Sequence, residues 1–276
     1  MDLEDISYSR EATIAAVTDY YTFLTRMYLK ESHVVYPPAG GWPAIVNAEP
    51  SELQSLGKSD EVLALLAHLP YIRHPIYGDG EDSAEVAPCH TVADWTRFIA
   101  RLTPVKAKEI RALTEGELAY MHISPPHVVG LTMSPIDEAW VLDTELGIIH
   151  WQDCPSRIDF GDDRLASVQW DLEHEVSEEE ADWRQSATAW AIPDFFELLK
   201  DQFIKLKWIP ISHSTLKGVP DDEDDDEEGM IPMLQEIYRQ HGWPDLAFYR
   251  KSKCLEAVQK AMAEKYPESV CWRGDD

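Results

Sequence analysis

Apolar residues recur every three or four positions over 10–29, at Ala16, Tyr20, Phe23, Leu24, Met27 and Tyr28. That spacing predicts a long helix, and Ser9 is placed to cap its first free amides. Prolines and glycines crowd 34–43 and exclude a long regular element there. Shorter helices are predicted over 51–56 and 60–69, the second burying Val62, Leu63, Leu65, Leu66 and Leu69. Residues 71–90 read as a loop. Thr91 with Asp94 three places on is a variant capping box. It predicts a helix to about Leu102, stopped by Pro104, with Val92, Trp95, Phe98, Ile99 and Leu102 as its buried stripe.

The period then shortens. Runs rich in β-branched and aromatic residues at 118–123, 128–133, 139–143 and 147–151 predict strands. Thr144, Glu145 and Leu146 form a tight hairpin loop closed by Gly147. A further strand is expected over 165–172. Ser177 with Glu180 makes a capping box and predicts a helix over 178–188. Pro193 suits the first turn of the next helix, whose stripe is Phe195, Phe196, Leu199, Phe203 and Leu206. Helices follow over 232–240, ending at Gly242, and over 251–265. The expected class is α+β, a central, mainly antiparallel sheet supplied mostly by 118–172 and flanked by helices from both termini. Expected units are an α+β core over 1–212, an acidic flexible loop over 213–230, and a helical carboxy-terminal extension over 231–276 packed on that core.

Charge narrows the function classes. The 276 residues carry 24 Lys and Arg against 51 Asp and Glu, a net charge of −27. Such a chain is repelled by phosphate backbones, so no nucleic acid partner is expected. No window has 18 consecutive apolar residues, so no membrane association is expected either. The acidic start at Asp2, Glu4 and Asp5 is unlike a basic leader. Cys89, Cys154, Cys254 and Cys271 show no paired spacing. Together these features predict reduced thiols and a cytoplasmic protein, with the nucleus not excluded. The sharpest local feature is the unbroken run Asp221, Asp222, Glu223, Asp224, Asp225, Asp226, Glu227 and Glu228. Eight adjacent carboxylates repel one another and favour a solvated segment.

Two segments carry a resemblance. The hairpin Trp140-Val141-Leu142-Asp143-Thr144-Glu145-Leu146-Gly147-Ile148-Ile149-His150-Trp151 resembles a hairpin of the SUKH superfamily. Downstream, Trp190-Ala191-Ile192-Pro193-Asp194-Phe195-Phe196-Glu197-Leu198-Leu199 is similar to that family's late helix. The family includes fungal cell-wall regulators and bacterial immunity proteins that bind toxin enzymes. The resemblance covers about a quarter of the chain. It implies an α+β fold and a protein-binding module rather than a catalyst.

Catalytic and metal motifs are sparse. His150, Asp153 and Cys154 gather near His122 and His127, but His150 and Cys154 would lie about 13 Å apart on one strand face. No metal and no cofactor is expected, since neither paired ligand spacing nor a phosphate-binding glycine loop occurs. Asp159, Asp162 and Asp163 lack the register of a calcium loop. Cys89 and His90 are adjacent and would diverge on a strand, and no nucleophile elbow surrounds Ser134 or Ser156. The tripeptide Gly-Trp-Pro occurs twice, at Trp42 and Trp243. An indole held between glycine and proline either seals a core or anchors a partner. The expected function is therefore a non-enzymatic interaction or regulatory module. Its acidic face would engage a basic protein partner, with residues 221–228, Trp42 and Trp243 as the binding candidates. The alternative is a small-molecule enzyme of uncommon fold, with an aromatic-lined pocket and His/Asp acid–base chemistry.

Overall fold

The computed structural model describes residues 2–73, 84–116, 118, 124–133, 138–155, 158, 167–168, 183–184, 187–220 and 229–267. The acidic run 221–228 lies outside them. So do the aspartates at 159, 162 and 163, His122, Ser134, Ser156, Cys271, the Ser177 capping box, and most of the strands expected over 118–123 and 165–172.

The class is α+β, and every strand pairing among the described residues is antiparallel. Nine α-helices are described: α1 (Arg10–Met27), α2 (Pro43–Val46), α3 (Pro50–Leu56), α4 (Asp60–Leu66), α5 (Trp95–Ile99), α6 (Pro104–Glu115), α7 (Ile192–Ile204), α8 (Met230–Gln240) and α9 (Lys251–Lys265). Eleven short strands form four sheets. The largest has the order β5-β7-β8-β9, from Val128–Gly130, Trp140–Asp143, Ile148–Gln152 and Ala187–Ala191. Beside it lies β3-β4-β6, from Glu85–Ala87, His90–Val92 and Thr132–Met133. The two-stranded sheets are β1-β2 (Val34–Val35 with Tyr71–Ile72) and β10-β11 (Trp208–Pro210 with Leu216–Gly218).

The strand period of two sorts the central sheet into faces. Trp140, Leu142, Ile149, Trp151 and Trp190 enter the main hydrophobic cluster, which also takes in α1, α7, α8 and α9. Val128 and Val141 belong to a small cluster on the other face, and Ile148 and Ala189 to a third. Phe195 of α7 is fully buried, with its ring 5.1 Å from Trp140, 5.9 Å from Trp151 and 6.0 Å from Trp190. These are edge-on and tilted contacts, which suit the aromatic quadrupole. At the sheet edge α6 crosses so closely that a Cβ on Gly130 would lie 1.9 Å from the Thr114 carbonyl oxygen. Only glycine fits there.

Several boundaries differ from expectation. The helix expected to reach 188 gives way to β9 at Ala187, whose residues pair with β8 from Ile148 to Gln152. Its alternation Ala-Thr-Ala-Trp-Ala is a strand pattern that helix signals upstream obscured. Residues 85–92 form a hairpin rather than a loop. Thr91 sits in that hairpin, so the helix cap is Asp94 alone, which accepts from the backbone N–H groups of Thr96 and Arg97. The helix expected to reach Leu102 stops at Ile99, and Pro104 instead begins the next one, since its missing N–H costs nothing at the first helical turn.

Candidate functional site

Helices α1 and α7 begin side by side, and a cleft of about 300 Å³ opens between their first turns. One wall is Ser9, Ala12 and Thr13 of α1, and the other is Ile192, Pro193 and Asp194 of α7. Asp5, Ile6 and Ser7 close it from the amino-terminal side, and Gly147 of the β7–β8 turn also lines it. Gly147 has φ +73°, and a Cβ on it would come 2.8 Å from the Tyr8 nitrogen. Glycine therefore lets the amino-terminal segment cross the hairpin turn. Ser9 caps α1 by accepting from the Ala12 N–H, whereas no side chain caps α7.

The cleft is acidic. Asp5 and Asp194 line it, Glu11 is exposed one turn into α1, and Glu197 follows Asp194 by one turn of α7. Burial and the neighbouring Glu197 charge hold the Asp194 carboxyl above its ordinary range. Two helix N-termini contribute about half a positive charge each, less than the two carboxylates beside them. Lys200, further along α7, is engaged by Asp19 and by Glu197, the latter at 2.7 Å.

A second polar group lies buried on the far face of the sheet. Asp143, fully buried, accepts at Oδ1 from the backbone N–H groups of Glu145 and Leu146 and so shapes the hairpin turn. Its Oδ2 is 3.6 Å from His127 Nε2 and 3.9 Å from the Arg184 guanidinium. The other nitrogen of His127 is 3.3 Å from Glu145. Burial pushes the Asp143 carboxyl up, against the two N–H donors, His127 and the Arg184 charge. His150 faces the same side, with its ring 4.6 Å from that of Trp183. Burial, and then the Arg184 charge, lower its pKa from 6.5 to about 3.

His150 therefore stays neutral in the fold while its unfolded counterpart takes a proton below pH 6.5. The unfolded state binds more protons between pH 6.5 and about 3, so stability is full above 6.5 and falls through that window. The expected slope from this one group approaches 1.4 kcal/mol per pH unit. Urea unfolding at pH 7, 6, 5 and 4 measures it, and His150→Gln should remove that component. An unchanged pH slope in the variant would refute the assignment.

A third group is an ion pair with no solvent exposure on either side chain. Lys58 Nζ lies 2.7 Å from Glu115 Oε1 and donates to Ser124 Oγ at 3.0 Å. The Ser124 hydroxyl in turn donates to the other Glu115 oxygen. The three come from the α3–α4 link, the end of α6 and the approach to β5, so the group ties those elements together.

Of the binding candidates from sequence, Trp243 is buried, with its indole N–H donating to the Phe203 carbonyl at 3.1 Å. Trp42 is half-buried and donates to the Leu69 carbonyl at 2.8 Å. Both rings seal packed elements. His90 is also inside, stacked on Trp140 at 5.0 Å. Among the described residues no three His, Cys, Asp or Glu side chains converge as metal ligands. Sequence reasoning missed the Lys58–Glu115 pair, which no spacing reveals, and Asp143, whose signal was an Asp before a tight turn. No helix among the described residues is long and apolar enough to cross a membrane. No protein-family model, characterised protein or solved structure matches this chain.

Proposed function

We propose that this protein acts by contact, as an interaction module whose acidic surface captures a basic protein partner. One observation carries the reading: the sealed acid–base candidates of the sheet and the open cleft are in different places. Asp143 and His150 are sealed in the fold, whereas the cleft at the starts of α1 and α7 offers carboxylates and no His, Cys or Lys. A Lys or Arg side chain entering the cleft would relieve the repulsion between Asp194 and Glu197. An apolar void of about 20 Å³ between Tyr21, Tyr71, Trp95 and Trp140 is too small for a substrate. The net charge of −27 supplies long-range attraction, and the run 221–228 contributes eight of its carboxylates. The hairpin and helix that carry the SUKH resemblance are the elements whose turn and first residues line the cleft.

The enzyme reading retains one supporting observation. His127, 20% exposed at its side chain, lies between two carboxylates, 3.6 Å from Asp143 and 3.3 Å from Glu145.

The test uses a fluorescent peptide of alternating Lys and Gly as probe. Association should be fast at low salt and fall at least tenfold between 50 and 300 mM, because exposed charges are screened. Asp194→Asn with Glu197→Gln should slow association several-fold, and exchanging 221–228 for Ser and Gly should flatten the salt dependence. Melting temperature should change little in either variant. A probe that fails to bind at low salt would sink the proposal.

A further inference from the structure

The connection between α8 and α9 is short and unusually constrained. Backbone N–H groups of Trp243, Asp245, Phe248, Tyr249 and Arg250 all donate to carbonyls within the same turn or the end of α8. Ala247 N–H donates to the Asp245 carboxylate at 2.9 Å. Gly242, at φ +99°, brings the chain back on itself so closely that a Cβ would lie 2.8 Å from the Phe248 carbonyl oxygen. Trp243 and Tyr249 anchor the loop from below, with ring centroids 5.1 Å apart, and the Tyr249 hydroxyl donates to the Met27 carbonyl at the end of α1.

This ordered backbone holds its apolar side chains outward. Phe248 is 74% exposed and Leu246 39%. Ile204, 45% exposed, ends α7, and its carbonyl accepts from the Trp243 indole N–H at 3.3 Å. One exposed apolar side chain is ordinary, but three around a single buried tryptophan form a patch. A ring already held in place loses little freedom on binding, which is the property of an interface anchor.

The charge around the patch is opposite to that of the chain. Over 229–267 six basic side chains face four acidic ones, in a protein with 27 excess carboxylates. Lys251 points inward, its ammonium bound to the Thr25 and Leu29 carbonyls at 2.7 and 2.6 Å. Arg250 and Lys253 are exposed on either side of it. Of the carboxylates nearby, Asp245 accepts the Ala247 N–H and Glu31 acts on Lys251.

We propose that Ile204, Leu246 and Phe248, flanked by Arg250 and Lys253, dock an acidic segment of another protein. An apolar or aromatic residue of that segment would pack on Phe248, and its carboxylates would meet the two cations. This surface is separate from the acidic cleft and independent of the reading given to it. An anionic membrane fits less well, since its continuous negative plane would meet the whole acidic chain. A short segment meets only what lies within a Debye length of about 8 Å.

The test is selection of twelve-residue peptides from a random display library on the intact protein, followed by anisotropy with the recovered peptides. The expected winners combine Asp or Glu with Phe, Leu or Trp. Their affinity should fall at least tenfold in Phe248→Ala, and again in Arg250→Glu with Lys253→Glu. Both sites are exposed, so melting temperature should hold. Leu246→Ser gives a second, independent variant. Recovery of basic or uncharged peptides, or unchanged affinity in Phe248→Ala, would overturn the proposal. So would phosphatidylserine vesicles that bind more tightly than any peptide and lose binding in Phe248→Ala. A dimer in sedimentation that Phe248→Ala dissolves would assign the patch to a second copy instead.

Discussion

Glu115→Gln is expected to cost about 3–5 kcal/mol, because it removes one partner of a fully buried ion pair and leaves the other charge uncompensated. The arrangement around it makes the cost specific. Burial already lowers the Lys58 pKa, and the Arg111 charge lowers it further, while Glu115 acts in the opposite direction. Without the carboxylate, two cations face each other in a site closed to water. Lys58 would then lose its proton or draw the α3–α4 link away from α6. Replacing both partners, Lys58→Met with Glu115→Leu, removes charge and desolvation penalty together. It should return stability to within about 1 kcal/mol of the parent or exceed it. Thermal unfolding reads both, with the single change lowering the midpoint by about 10 °C for a chain of this size. A single variant that melts with the parent, or a double variant no better than the single, would show that the pair is not closed to water.

Phe195→Ala is expected to cost a further, independent 3–5 kcal/mol. Phe195 is the residue through which α7 meets the central sheet, and its ring touches three tryptophans and Phe196. The surrounding indoles are large and mutually braced, Trp140 and Trp151 lying 5.6 Å apart, so they cannot collapse into the space. Cost therefore stays near the top of the range for an aromatic truncation, and Phe195→Leu should lose less. Denaturant unfolding measures the difference. The exposed Phe248 is the internal control. If truncating both phenylalanines had the same effect on stability, the aromatic cluster would not be the centre of the core.

Much of this architecture was legible where apolar spacing ran long enough to average out local accidents. The spans read for α1, α7, α8 and α9 differ from the observed helices by at most a few residues, and the β7–β8 hairpin follows from its two strand patterns and Gly147. Short elements were not legible. Glu85–Ala87 and His90–Val92 have three residues each, below the length at which alternation can be told from chance. Helix α6 presents Lys106, Lys108 and Glu109 to solvent, and its opening proline looked only like a stop. The candidate site was legible only as charge. The acidity of the chain is plain in its composition, but the cleft depends on two helices 180 residues apart starting at the same place. The Lys58–Glu115 pair likewise joins segments whose proximity only the tertiary fold creates. Trp42 and Trp243 illustrate the converse, since a distinctive motif marked rings whose N–H groups are used internally.

The inward turn of Lys251 has a consequence for how the chain comes apart. Carbonyls at the end of a helix have no partner within it. The carbonyls of Thr25 and Met27 in α1, and of Leu29 just beyond it, are met by Lys251 and Tyr249, more than 220 residues later. The start of α9 thus closes the end of α1, and the ammonium sits where the helix carries partial negative charge. Fraying of the first helix cannot then proceed without releasing the last one. Early and late segments form one cooperative opening unit, although they are synthesised at opposite times. Until Tyr249 and Lys251 have been synthesised, the first helix lacks its terminus, and the nascent chain holds an unfinished core.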